Sequence, residues 1–212
     1  MYMKKIVLFI CALLSTVAVN AQGHFGVMGG ANLSTSSAKD ADCRVGGFVG
    51  GLYDVQLTRN FYLQPRLVFS YQENQRKAVN TSVTPNSDLG NEFVSQWGLT
   101  LPVLASFRFN LSDNTSLRLN AGPYLQYALF GKERTVSHYY SQEGSMPVAT
   151  LSQKKSWHHD FGDKLTYGTQ VGVQFEYKKF FVTADYKHSF RRSILNMDGF
   201  ENTIQLGFGY KF

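Results

Sequence analysis

Two short stretches hold the residue types that hydrolytic chemistry uses. Ser156-Trp157-His158-His159-Asp160 puts a hydroxyl, two imidazoles and a carboxylate side by side. A nucleophile, a base and an orienting acid work only when their side chains converge. Neighbours in sequence converge only if the chain folds back on itself. His158 and His159, with His138, also offer nitrogen ligands for zinc, but two adjacent imidazoles and no strand-fixed ligand fall short of a tetrahedral set. His188-Ser189 is the second stretch. On an extended strand adjacent side chains point to opposite faces, so this histidine is not placed to activate this serine. There is no glycine-rich phosphate loop and no cysteine-rich metal motif. The sequence nominates no catalytic residue, no metal ligand and no cofactor.

The elements around these stretches set the class. Met1 to Lys5 carries two lysines, Ile6 to Val19 is an apolar run, and Val19-Asn20-Ala21 supplies small residues for cleavage. That is the pattern of a secretory signal, and the run falls short of the roughly twenty apolar residues a bilayer helix needs. Residues 1–21 are read as a cleaved signal peptide and residues 22–212 as a single domain. Cys11, preceded by Phe9 and Ile10, lacks the small neighbour that lipidation requires.

Removing Lys4 and Lys5 leaves 19 bases against 15 acids, a net charge of about +4. These charges are scattered, so nucleic acid has no patch to bind. Outer-membrane lipid and lipopolysaccharide are the more plausible acidic partners. Only Cys43 remains of the two cysteines, so no intrachain disulfide can form. Mean hydropathy is −0.20, and no second long apolar run exists. This excludes a helical membrane protein but not a barrel, whose strands show only alternating hydrophobicity.

Eight segments alternate with a period of two, which puts one residue set on each face of a sheet. Phe25, Val27, Ala31 and Leu33 share a face in the first, and Val45, Val49, Tyr53 and Val55 in the second. Later segments set Leu67, Phe69 and Tyr71 against Arg66, Ser70 and Gln72, and Trp97, Leu99 and Leu101 against Gln96, Gly98 and Thr100. Leu117, Leu119 and Ala121 oppose Arg118, Asn120 and Gly122. The clearest segment sets Val171, Val173, Phe175 and Tyr177 against Gln170, Gly172, Gln174 and Glu176. Phe180, Val182, Ala184 and Tyr186 oppose Thr183, Asp185, Lys187 and Ser189. The last strand runs through Ile204, Leu206, Phe208 and Tyr210 to Phe212.

Connections alternate too. Thr58-Arg59-Asn60, Asn110 to Asn114 and Lys178-Lys179 are short; Ser34 to Asp42, Glu73 to Glu92, Gly131 to Asp163 and Arg191 to Phe200 are long and polar. Short turns at one end and long loops at the other are the mark of an outer-membrane barrel. The predicted fold is all-β: an eight-stranded antiparallel up-and-down transmembrane β-barrel, short turns in the periplasm and longer loops outside. A soluble lipocalin-like barrel would need the faces reversed.

The inner face then carries Asp54, Arg66, Arg108, Arg118, Lys164, Glu176, Asp185 and Lys187, predicted to pair across the lumen with trapped water. Pro65, Pro102 and Pro123 each remove a ladder hydrogen bond, so they are predicted at bulges or strand ends near the membrane edge. The terminal aromatics Tyr210 and Phe212 resemble the assembly signal of bacterial outer-membrane barrels, which implies the barrel-assembly machinery as a partner.

Phe25 to Leu33, Leu63-Gln64-Pro65, Leu101-Pro102-Val103-Leu104 with Phe107-Arg108-Phe109, Ala121-Gly122-Pro123-Tyr124, and the run from Tyr167 to Phe190 together resemble the PorT-like outer-membrane β-barrel family. The resemblance spans nearly the whole chain after the signal, and the three prolines recur in that family's pattern. It implies an outer-membrane location and, through the founding member, an envelope or secretion complex. The function expected is that of a non-enzymatic integral outer-membrane protein, working through its extracellular loops or as a subunit of such a complex. A narrow pore would require few lumenal charges. A lipid hydrolase would require serine, histidine and an acid at one strand end.

Overall fold

The computed structural model describes residues 23–36, 44–77, 87–140, 147–156, 164–191 and 200–212. The signal peptide, Cys43 and Trp157 to Asp160 lie outside the described residues, as does the side chain of His138.

The described residues form nine strands. They are β1 (Gly23–Ser36), β2 (Arg44–Gln56), β3 (Phe61–Lys77), β4 (Ser87–Ser112), β5 (Thr115–Tyr140), β6 (Pro147–Ser156), β7 (Leu165–Tyr177), β8 (Phe180–Ser189) and β9 (Glu201–Lys211). Each pairs antiparallel with its neighbours. The ring closes because β9 pairs with β1 and β5 pairs with β7. Eight strands make the barrel, and β6 stands outside it. Closure leaves no sheet edge in the bilayer, so every backbone polar group there finds a partner without water.

Alternation decides which side chains meet lipid. On β7, Val173 is 42% exposed while its neighbour Gln174 is 0% exposed. The same holds around the ring: Phe25, Val49, Leu67, Leu101, Leu119, Val182 and Leu206 are exposed, while Gln64, Thr100, Asn120, Gln170 and Thr183 are buried inside. A lipocalin-like barrel has the opposite sidedness.

Aromatic rings collect at two levels. Near the short turns, Phe25 stacks on Phe212 at 5.8 Å, Phe107 meets Phe109 at 4.9 Å, and Phe180 meets Tyr210 at 5.2 Å. Towards the far end Trp97 sits between Phe69 at 5.2 Å and Tyr71 at 5.0 Å. Trp97 and Phe107 are ten residues apart on β4. That is about 33 Å of strand at ~3.3 Å per residue, or about 25 Å of height at the usual tilt, the height of an outer-membrane apolar band.

Two expectations are corrected. Glu73 to Glu92 and Gly131 to Asp163 are not simply loops. β3 runs on to Lys77, β4 starts at Ser87, and β5 continues to Tyr140. The inner half of β5, Thr115 to Tyr127, pairs with β7; its outer half, Lys132 to Tyr140, pairs with β6 instead. A bulge marks the change of partner. Trp97 faces Phe130 and Gly98 faces Ala128, so Leu129 is the extra residue. Bulges increase local twist and bend the strand that carries them, here where the barrel wall continues into an extension in which β3, β4, β5 and β6 pair in order.

The prolines are at neither bulges nor strand ends. Pro65 pairs with Val103, Pro102 with Tyr124 and Pro123 with Thr169, all well inside their strands. The ladder skips a few residues beside Pro65 and Pro102 and resumes in the same register. Gly122 shows how tightly the chains approach here: a Cβ on it would collide with the Val103 carbonyl oxygen on β4.

Candidate functional site: the ion-paired lumen

Strand phase delivers the polar set to the interior, and the ring geometry sets partners facing one another. Arg66 on β3 reaches Asp185 on β8, the strand opposite, with Nη1 2.8 Å from Oδ2. Both side chains are 1% exposed. Arg66 Nε donates to Gln64 Oε1 at 2.8 Å, and Gln64 Nε2 donates to Asp54 Oδ1 at 2.6 Å.

Asp54 belongs to a second, larger cluster. Arg118 Nη1 lies 3.0 Å from Asp54 Oδ2, and its Nε lies 2.9 Å from Glu176 Oε1. Lys211 Nζ donates to Asp54 Oδ2 at 2.5 Å and also to Glu176. Ser116 Oγ and Gln174 Nε2 donate to Glu176 at 2.9 and 2.6 Å. The Arg118 guanidinium also lies over the Tyr62 ring, 4.4 Å from its centroid. Three carboxylates thus meet three cations inside the barrel. Taking such charges out of water is costly, and only close pairing with further hydrogen bonds offsets it. The result is a set of cross-braces without net charge, not a charged funnel.

Not every nominated residue joins. Arg108 is at the rim, 34% exposed at its side chain and 4.0 Å from Glu176. Lys164 sits in the turn before β7, where its backbone carbonyl accepts from Ala128 N–H. Lys187 is buried with its Nζ over the Tyr124 ring at 5.6 Å, and no hydrogen-bond partner is found for it among the described residues.

Reading charge alone also missed members. Lys211 stands in lumenal phase with Gln205 and binds two acids, and Gln64 and Gln174 link the two clusters through Arg66, Asp54 and Glu176. A patch of Met28, Phe48, Leu52, Val68 and Phe181 fills part of the lumen with apolar side chains. Towards the far end the filling is mostly amide and hydroxyl, with one acid, Glu201, accepting from Thr203 Oγ1 at 3.2 Å. Gln72 Nε2 donates to Ser34 Oγ at 3.2 Å, and Gln126 Nε2 donates to Gln72 Oε1 at 3.2 Å.

Of the residues considered for chemistry, His188 and Ser189 do not converge. Ser189 points inward, its Oγ accepting the Glu201 backbone N–H at 2.8 Å. His188 points the other way, with Nδ1 2.8 Å from Asn202 Oδ1. Among the described residues no cluster of three metal-ligating side chains occurs. The terminal aromatics both line the outer seam: Tyr210 packs on Phe212 at 5.4 Å, and Phe212 N–H donates to the Phe25 carbonyl at 2.9 Å.

The profile of a family described as outer membrane protein beta-barrel domain matches residues 20–195. No curated protein matches. Among solved structures, the attachment invasion locus protein Ail of Yersinia pestis is 17% identical, with 90% of this chain and 99% of that one covered and a TM-score of 0.42. Neisserial surface protein A is 14% identical over 89% of this chain and 97% of that one, with a TM-score of 0.41.

Proposed function

Because this chain belongs to the outer membrane protein beta-barrel domain family, we propose that it is a non-conducting, non-catalytic outer-membrane anchor that presents the β4–β5–β6 sheet outside the cell. The observation that carries the reading is the division of β5. One half of this strand is barrel wall and the other half is the centre of a sheet beyond the wall. The end with short turns belongs in the periplasm, so the sheet stands on the extracellular side.

The lumen supports this. Arg66–Asp185 and Arg118–Asp54 brace the interior from strand to strand, and a narrow pore has to break them to conduct. A lipid hydrolase needs a serine and histidine that meet, whereas His188 and Ser189 face opposite ways. The order of short motifs from Phe25 to Phe190 favours a PorT-like branch of the family, and with it an envelope protein complex as the partner. The terminal Phe212 fits a signal read by the barrel-assembly machinery.

The test replaces residues 133–155 with a short turn. The shortened chain is expected to reach the outer membrane and to keep its faster migration when unheated. It should lose the envelope protein that wild type retains in pull-downs from detergent-solubilised outer membranes. Identical retained proteins, or discrete conductance steps from wild type in planar bilayers, would count against the reading.

A further inference from the structure

Direct ion pairing does not account for every polar group in the lumen. On β5, β7, β8 and β9, six buried side chains hold atoms that make no hydrogen bond among the described residues: both amide atoms of Asn120, Gln170 Oε1, Asp185 Oδ1, Lys187 Nζ, Glu201 Oε2 and Gln205 Nε2. The strand register gathers them. Asn120 pairs with Gly172, Gly172 with Asp185, and Asp185 with Gln205. On the next lumenal row outward Lys187 stands between Gln170 and Thr203, and Glu201 is one lumenal position beyond Thr203. The two acids flanking Lys187 are half used. Asp185 gives Oδ2 to Arg66 at 2.8 Å, and Glu201 Oε1 accepts from Thr203 Oγ1 at 3.2 Å. Their second oxygens are the ones left over. Lys187 Nζ donates to neither and lies 5.6 Å from the Tyr124 ring centroid.

A buried polar group left without a partner costs its full desolvation, and native interiors pair nearly all such groups with protein or with ordered water. The chemistry of this set names its partner. It mixes donors, on Lys187, Asn120 and Gln205, with acceptors, on Gln170, Asp185, Glu201 and again Asn120. A cation would serve the acceptors and be repelled by Lys187; an anion would be drawn to Lys187 and repelled by the acids. A molecule that both donates and accepts serves all of them, and water is the smallest. A buried water makes about three hydrogen bonds to groups of this kind. The patch of Met28, Phe48, Leu52, Val68 and Phe181 elsewhere in the lumen is apolar and offers it none from its side chains.

We infer that this side of the lumen is an enclosed water site, in which a small cluster of waters links the Lys187 ammonium to the spare oxygens of Asp185 and Glu201 and to the amides of Asn120, Gln170 and Gln205. The interior is then divided, wet along β5, β7, β8 and β9 and dry at the apolar patch. Through Asp185 the waters join Lys187 to the Arg66 brace, a link that no direct hydrogen bond makes. The inference rests on the packing of the barrel interior and not on the role of the extracellular sheet.

X-ray hydroxyl-radical footprinting of the refolded barrel in lipid nanodiscs tests this, because the radicals form from water where it stands and oxidise the side chains beside it. Tyr124 and Phe48 are equally buried rings, each 5% exposed, but only Tyr124 lies against Lys187. Each ring is compared with itself in the urea-unfolded chain at equal radical dose. Folded wild type is expected to keep much of the Tyr124 oxidation and to lose nearly all of it at Phe48. Lys187→Met keeps the length of the side chain and removes its donors, so Tyr124 should fall to the level of Phe48. Migration of unheated samples shows that the variant is folded. Tyr124 as protected as Phe48 in wild type overturns the site, and this comparison stands even if Lys187→Met fails to fold. Undiminished Tyr124 oxidation in a folded Lys187→Met barrel also overturns it, since the water reaching the ring would then not be held by Lys187.

Discussion

A single buried ion pair shows what the lumen does for stability. Arg66 and Asp185 have almost no exposure, so removing one leaves the other charge stranded. Arg66→Met is expected to cost about 3–5 kcal/mol, and most of that should return when Asp185→Leu is added. Urea unfolding from lipid vesicles measures both, and additive losses would show that the two side chains are not coupled. At this scale the sequence was legible wherever phase and charge coincide, as at Asp54, Arg118 and Glu176. It was misleading where they do not. Phe48, Leu52 and Phe181 occupy lumenal positions but look like lipid-facing residues by type. Lys211 lies at the end of an apolar strand, and nothing in its neighbours announces the two acids it meets.

At the scale of elements, the β7–β8 turn carries a local cost. Lys178 has a φ of 53°, in the left-handed region that side chains with a Cβ avoid. Lys178→Gly is expected to stabilise the barrel by roughly 1 kcal/mol, seen as a higher urea midpoint in vesicles; an unchanged or lower midpoint would argue that the turn is not strained. Inside the membrane band each strand was legible, because lipid on one side and lumen on the other impose opposite chemistry on alternate residues. Beyond the band that constraint ends. Glu73 to Lys77 and the outer halves of β4 and β5 run on past the lipid band, where nothing requires a strand to alternate. These segments therefore read as polar loops, and β6 was missed altogether. The prolines misled for a related reason. A skipped ladder step inside a closed ring is held in register by the strands on either side, which a strand-by-strand reading does not consider.

At the scale of the whole molecule, the seam between β1 and β9 joins the two ends of the chain. Phe212 contributes a ring stacked on Phe25 and a backbone hydrogen bond to it. Deleting Phe212 is expected to lower the amount of folded barrel in the outer membrane far more than deleting a residue of an extracellular loop, and quantitative blotting of unheated fractions checks this. Equal levels would mean that the terminal aromatic is neither a signal nor a clasp. The seam also fixes an order of events. Lys211, which binds Asp54 across 157 positions of sequence, joins the interior only when β9 has closed on β1. Until then Arg118 alone bridges the two carboxylates, and β1 has an open edge. Contacts so distant in sequence form late and slowly. Closing the last seam and neutralising the Asp54–Glu176 cluster are therefore a single event, and a sheet that has not closed keeps both an edge open to other strands and an interior one cation short.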